Sequence, residues 1–178
     1  MLERFKRIDR KLIYKGSIVD FYKDTIEAPN GNVVEWDFVR QKGAAAVIAV
    51  LEDGRLLMVR QYRNALDRET IEIPAGGLNG ETEPTDVAAK RELQEETGYT
   101  CDTLEFLMSV RTTVAFCNEK IDIYVAKNLT PGKQHLDEDE FISVEAYTID
   151  QLTEMIIKGE IQDGKTVSGI LTYKEKYL

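Results

Sequence analysis

Three glutamates, Glu92, Glu95 and Glu96, stand close together in an otherwise mixed sequence. At about 100° of rotation per residue, a helix carries all three within an arc of roughly 100°. Like charges at these spacings cost an isolated helix about 0.2–0.5 kcal/mol per pair, so the clustering asks for a compensating cation. Magnesium fits, because it prefers octahedral oxygen coordination, keeps several waters and bridges carboxylates to substrate phosphates. Arg91 precedes Glu95 by four residues and can hold it as an i,i+4 pair. Ala88, one turn before Glu92, offers a small side chain on the same arc, leaving room for a ligand. An acidic cluster alone is more often a solvated helix face, so the surrounding sequence has to decide between the two readings.

The helix needed to present these groups is legible. Pro84 suits a first turn and Gly98 a left-handed stop, which predicts a helix over residues 84–97. Before it, apolar runs at 44–51 and 55–61 flank the turn Glu52-Asp53-Gly54 and predict a buried hairpin, followed by a short strand at 70–73. After it, strands are predicted near 103–113, 120–126 and 141–147. Thr148 and Gln151 form a capping box for a helix to 158, and a last helix spans 166–177. Upstream, residues 11–40 alternate apolar and polar and break at Pro29-Asn30-Gly31, a turn between two strands. The expected fold is an α/β/α sandwich around a mixed sheet, with residues 1–42 as an antiparallel β extension and 43–178 as the main domain.

Composition limits the partners. The 178 residues are 43% hydrophobic, enough for a substantial core, and carry a net charge of −9. Such a field repels nucleic acid and anionic membrane surfaces, so neither is expected as a partner, and an anionic substrate needs local cations. The charged first ten residues do not resemble a signal peptide, and no run of about eighteen apolar residues occurs, so a cytoplasmic protein is expected. Cys101, Cys117 and the single histidine, His135, have no zinc-site or disulfide spacing.

The acidic helix lies inside a longer pattern, G-x5-E-x7-R-E-U-x-E-E-x-G-U, met by Gly77, Glu83, Arg91, Glu92, Leu93, Glu95, Glu96, Gly98 and Tyr99. With average residue usage, its seven fixed positions coincide by chance on the order of once in a hundred million registers. The segment therefore resembles the signature of the Nudix hydrolases. The likeness extends over roughly residues 10–175 and is strongest to the ADP-ribose pyrophosphatase branch.

The resemblance implies hydrolysis of the diphosphate of ADP-ribose or a related nucleoside diphosphate sugar, giving a nucleoside monophosphate and a sugar phosphate. Magnesium, with manganese as a substitute, is held by Glu92, Glu95, Glu96 and the Ala75 carbonyl. The catalytic base is implied in the acidic loop 136–141, at Glu140 ahead of Glu138, with Arg91 and Glu95 completing the catalytic set. Arg63, Trp36, Glu72 and Arg40 are implied as substrate contacts, with a structural salt bridge the alternative for Arg63 and a core position the alternative for Trp36. Where relatives place a second aromatic, this chain has Ile18; where they show Ser-Pro-Gly, it has Thr113-Val114-Ala115. Loss of that proline frees φ and restores an N–H, which predicts a looser loop and broader selection among diphosphate sugars. A homodimer built through the N-terminal extension is also implied. Nucleoside triphosphate hydrolysis, and a non-catalytic nucleotide sensor, are the competing functions.

Overall fold

The computed structural model describes residues 4–80 and 82–178, which cluster into two compact units. One contains residues up to Gly43 together with Arg111–Glu119; the other contains Ala44–Val110 and Lys120–Leu178.

The first unit is a three-stranded antiparallel sheet of β1 (Lys6–Lys15), β2 (Asp20–Glu27) and β3 (Val33–Arg40), in that order. It has one strand more than the single Pro29-Asn30-Gly31 turn suggested, because a second reversal at Gly16, whose N–H donates to Val19 O at 3.0 Å, divides the alternating run. Arg10 ties β1 to β2 through two bonds to Asp24, at 2.6 and 2.5 Å, and its guanidinium lies 3.6 Å from the centre of the Phe38 ring. The 111–119 segment joins the same unit by pairing with β3: Val39 N–H donates to Phe116 O at 2.7 Å.

The second unit is a seven-stranded mixed sheet. Its strands are β4 (Ala44–Val50), β5 (Leu56–Arg63), β6 (Arg68–Glu72), β7 (Ala75–Gly77), β8 (Tyr99–Arg111), β9 (Lys120–Pro131) and β10 (Ile142–Tyr147). The order runs β10-β5-β4-β9-β8, with β6 on β5 and β7 on β4; β4 and β9 are parallel. Period-two alternation in the two central strands divides their side chains between layers. Ala46, Ile48, Ile121, Ile123 and Val125 pack into one core with residues of α2 (Ile149–Ile157) and α3 (Gly164–Tyr177). Ala45, Val47, Ala49, Tyr124 and Ala126 pack into a second core with α1 (Thr85–Thr97). The sandwich is therefore α/β/α around a mixed sheet.

The predicted capping box is present: Thr148 Oγ1 accepts from Gln151 N–H, and Gln151 Oε1 accepts from Thr148 N–H. Strand β7 was not anticipated, since Ala-Gly-Gly carries no β pattern; backbone pairing with Ala44–Ala46 alone makes it a strand. Ala88 also departs from expectation. It is fully buried in the second core beside Ala45 and Val47, so its small side chain brings α1 close to the sheet and makes no space for a ligand. Among the described residues, no helix is long and apolar enough to cross a membrane.

Candidate functional site

α1 begins at Thr85, after Pro84, and stops at Gly98, which adopts φ 77°. Its inner face carries Ala88, Ala89 and Leu93 into the core, and this placement draws Glu92 and Glu96 under cover on the flank toward β7. Both are buried, at 8% and 4% exposure, whereas Glu95 is partly exposed. A solvated acidic face would show none of this burial.

One guanidinium organises the cluster. Arg91 Nη1 donates to Glu92 Oε1 at 2.6 Å and to Glu95 Oε2 at 2.9 Å; its other nitrogens reach Glu83 at 3.2 Å and Gly77 O at 2.9 Å. Glu83 also accepts the Asn79 N–H at 2.5 Å, which closes the loop ahead of α1. Glu96 lies outside the reach of these bonds and accepts the Ala75 N–H at 2.9 Å. Gly76 lets the Glu92 carboxylate approach the backbone; a Cβ there would overlap that carboxylate and force it to shift.

The electrostatics are those of an anion-rich pocket. Burial pushes the Glu96 carboxyl up to about 8, the Ala75 N–H opposing and Glu92 and Glu140 adding to the rise. Burial also raises Glu92, against the pull of Arg91. The charge of Glu140 thus acts on both, while Glu138 is exposed. Among the described residues, no three carboxylate, imidazole or thiol groups converge closely enough to hold an ion, because Glu92 and Glu95 are turned onto Arg91. The donor chemistry nevertheless fits a hard divalent cation: buried carboxylates in excess over cations, beside the backbone of Ala75, with only oxygen ligands on offer.

A second network lies on β5 and β6. Arg63 donates twice to Glu72, both bonds at 2.8 Å, Thr70 Oγ1 donates to the same carboxylate at 2.6 Å, and Lys165 Nζ at 2.5 Å. Burial alone would raise Glu72, but Arg63 and Lys165 hold it down at about 2. Glu72 has its oxygens filled, so it orients Arg63, which retains partial exposure and lies near enough to Glu96 to feel its charge. Lys165 was not anticipated from the sequence: 93 residues separate it from Glu72, and only the packing of α3 brings them together.

Trp36 and Arg40 belong to the first unit. Trp36 is half-exposed, so the core alternative for it is set aside, and it lines a cavity of about 540 Å³ with Phe21, Val39, Ala115 and Phe116, beside Lys23, Glu35 and Asp37. Ile18 is exposed and absent from that lining; Phe21 and Phe116 share it with Trp36, while the ring packed on Trp36 is that of Phe5, 5.2 Å between centroids.

With this geometry in view, comparison with known proteins defines the class. A NUDIX domain model matches residues 40–168, and the chain belongs to the Nudix hydrolase family, whose members generally use divalent metal ions. An ADP-ribose pyrophosphatase of Bacillus subtilis (strain 168) is 37% identical over 93% of this chain and 90% of that protein. A methanol dehydrogenase activator of Bacillus methanolicus is 41% identical over the same shares. An ADP-ribose pyrophosphatase of Mycobacterium tuberculosis is 30% identical over 94% of this chain and 82% of its own length. The crystal structure of an ADP compounds hydrolase superposes with a TM-score of 0.84, covering 98% of this chain and 95% of that one, at 20% identity; it supports the fold.

Proposed function

We propose that this enzyme hydrolyses the diphosphate linkage of ADP-ribose or a closely related nucleoside diphosphate sugar, with magnesium as the working cation and manganese able to replace it. The observation that carries the reading is the burial of Glu92 and Glu96 against β7, with Glu95 and Arg91 alongside, in a charge balance left negative. In this reading Glu92, Glu95, Glu96 and the Ala75 carbonyl hold the cation, which neutralises diphosphate charge and makes the attacking water more acidic.

The protein's own groups do the rest. Glu140, whose charge reaches Glu92 and Glu96, takes the proton of the attacking water; Glu138 is the alternate base on the same loop. Arg91 keeps Glu92 and Glu95 oriented beside the residues that would hold the cation. Arg63, steadied by Glu72, binds a phosphate of the substrate with its planar donor edge. In the dimer the resemblance implies, Trp36 stacks on the base in the partner copy's substrate site, and Arg40 contributes charge there. Residues 1–42 form the dimer contact: Phe5, Ile8, Leu12, Tyr14 and Val33 are exposed there, an apolar surface that a second copy would cover.

The test is a panel of ADP-ribose, GDP-mannose, UDP-glucose and a nucleoside triphosphate, assayed with magnesium and scored by products. Release of AMP and ribose phosphate from ADP-ribose supports the reading; no cleavage of any diphosphate sugar sinks it. A chain starting at Gln41 should be monomeric with weakened substrate binding, and a monomeric chain of full activity would reject the dimer. The 41% identity to a methanol dehydrogenase activator favours one further reading, in which a dehydrogenase is a partner. A rise in methanol dehydrogenase turnover on adding this protein, absent with Glu96→Gln, would tie that effect to the hydrolytic site.

A further inference from the structure

We propose that Gln134 is a positioning residue that fastens the loop carrying the catalytic base to the end of the helix carrying the metal ligands; the inference rests on the reading of Glu140 above. A helix leaves its last carbonyls without partners inside the helix, and at α1 each of three has found one. Gln94 O accepts from Gly98 N–H at 2.9 Å, Glu95 O from His135 N–H at 3.0 Å, and Glu96 O from Gln134 Nε2 at 2.5 Å. Two of the three donors therefore come from residues 134 and 135, 38 and 40 positions downstream of their acceptors and at the root of the acidic loop. Glu96 is consequently held at both ends, its side chain by Ala75 and its carbonyl by Gln134.

The crossing is too close for side chains. A Cβ on Gly132 would lie 2.8 Å from Gly98 O, and one on Gly98 would lie 2.9 Å from the Gln134 nitrogen. Backbone therefore rests on backbone where the chain leaves β9, and the loop starts from a fixed point. From there a short turn, with Glu140 N–H donating to Asp137 O at 3.0 Å, sets the backbone of Glu140, whose charge acts on the carboxyls of Glu92 and Glu96. Among the described residues, Gln134 supplies the side-chain hydrogen bond that joins this loop to α1, so a substitution can cut it while leaving the main chain intact. The partial negative charge at a helix C-terminus strengthens a donor placed there.

Gln134→Glu keeps the shape but removes the donor; Gln134→Lys keeps a donor and adds a charge suited to the helix end. With ADP-ribose and magnesium, Gln134→Glu should lower kcat by about tenfold or more through misplacement of the base, with KM and the affinity for Mn2+ within about twofold of wild type. Gln134→Lys should stay within about threefold in kcat. In a Glu140→Gln background, Gln134→Glu should add less than about twofold, because its effect runs through Glu140. In the metal-free protein, the same substitution should speed amide exchange at His135 while exchange inside α1 stays unchanged. Unchanged kcat with unchanged His135 exchange overturns the inference, and so does an equal loss of kcat in the Glu140→Gln background. Should Gln134→Glu fail to fold, Gln134→Leu, also without a donor, takes its place with the same outcomes. A fully active Glu140→Gln enzyme would sink the functional reading instead, and the exchange measurement would still judge the fastening.

Discussion

Two arginine-centred networks in the sandwich unit use the same chemistry to opposite ends. Around Glu72, two cations, Arg63 and Lys165, meet two carboxylates, Glu72 and Asp163, with Thr70 filling a remaining position. The charges balance. Around Arg91, one guanidinium serves Glu83, Glu92 and Glu95, while Glu96 stands buried a turn away with a single backbone donor. Here four carboxyl groups share one cation, and the imbalance shows in Glu96, whose carboxyl is pushed up to about 8. A balanced network in a low-dielectric site holds residues still; an unbalanced one stores a demand for positive charge that a ligand can meet. The first therefore positions Arg63, and the second is where a cation and the chemistry belong.

The largest expected effect falls on the unbalanced side. Glu96→Gln removes charge and almost no volume, and should lower turnover by roughly a hundredfold to a thousandfold or more. Its melting temperature without metal should equal or exceed that of wild type, because the carboxylate it replaces is buried without a cation. Activity near wild type would break the comparison outright. Next in size is the response to metal. Chelation should abolish turnover, and Mn2+ at about a hundred times its Kd should stabilise wild type by about 2.7 kcal/mol in a thermal melt. In a Glu92→Gln, Glu96→Gln double variant that stabilisation should vanish; its persistence would put the cation elsewhere.

The balanced side predicts a pH signature. Glu72 is held near 2 in the folded protein against an ordinary value of 4.5, so its contribution to stability is fully present above 4.5 and is lost as pH falls toward 2. The shift corresponds to at most about 3 kcal/mol. Glu72→Gln should therefore be less stable than wild type in urea at pH 7, and the two curves should converge as pH falls through that window. A difference that is flat from pH 7 to pH 2.5 would show that Glu72 is not held by charge.

What the sequence made legible was what lies close along the chain. The arc of Glu92, Glu95 and Glu96, the Arg91–Glu95 pair and the Gly98 stop all depend on neighbours within one or two turns, and all are present. The apolar run 44–51 announced a buried strand in the same way, but the division of β4 and β9 side chains between two cores came from the structure. Contacts across the fold left no such trace. Lys165 on Glu72, Gln134 on Glu96 and the pairing that makes a strand of Ala75–Gly77 join residues separated by 93, 38 and about 30 positions, and only packing puts them together. Ala88 shows the converse error: its position on the helix was right, but the direction in which it faces depends on the sheet beneath.

The smallest expected effect concerns the loop where the chain lacks Ser-Pro-Gly. From sequence, Thr113-Val114-Ala115 reads as a turn that has lost its rigid residue. In the first unit the turn is tied down by other means. Cys117 N–H donates to Thr113 O at 3.0 Å, Val39 N–H to Phe116 O at 2.7 Å, and Asn118 exchanges bonds with both the N–H and the carbonyl of Gln41, at 2.8 and 3.1 Å. Thr112 and Arg111 add bonds to Glu119 and to Asn118 O. Val114 itself points into solvent at 84% exposure, so its identity carries no packing. Proline would stiffen a backbone already held at both flanks, and the entropy it removes from the unfolded chain changes stability rather than binding. Substitutions at exposed positions of this kind move free energies by about 0.5 kcal/mol, roughly a factor of two to three. Val114→Pro with Ala115→Gly should thus leave the ratio of kcat/KM for ADP-ribose over GDP-mannose within about threefold of wild type, while Asn118→Ala, which cuts the loop from Gln41, should shift it further. A change beyond tenfold in the first variant, with none in the second, would return control of selectivity to the missing proline.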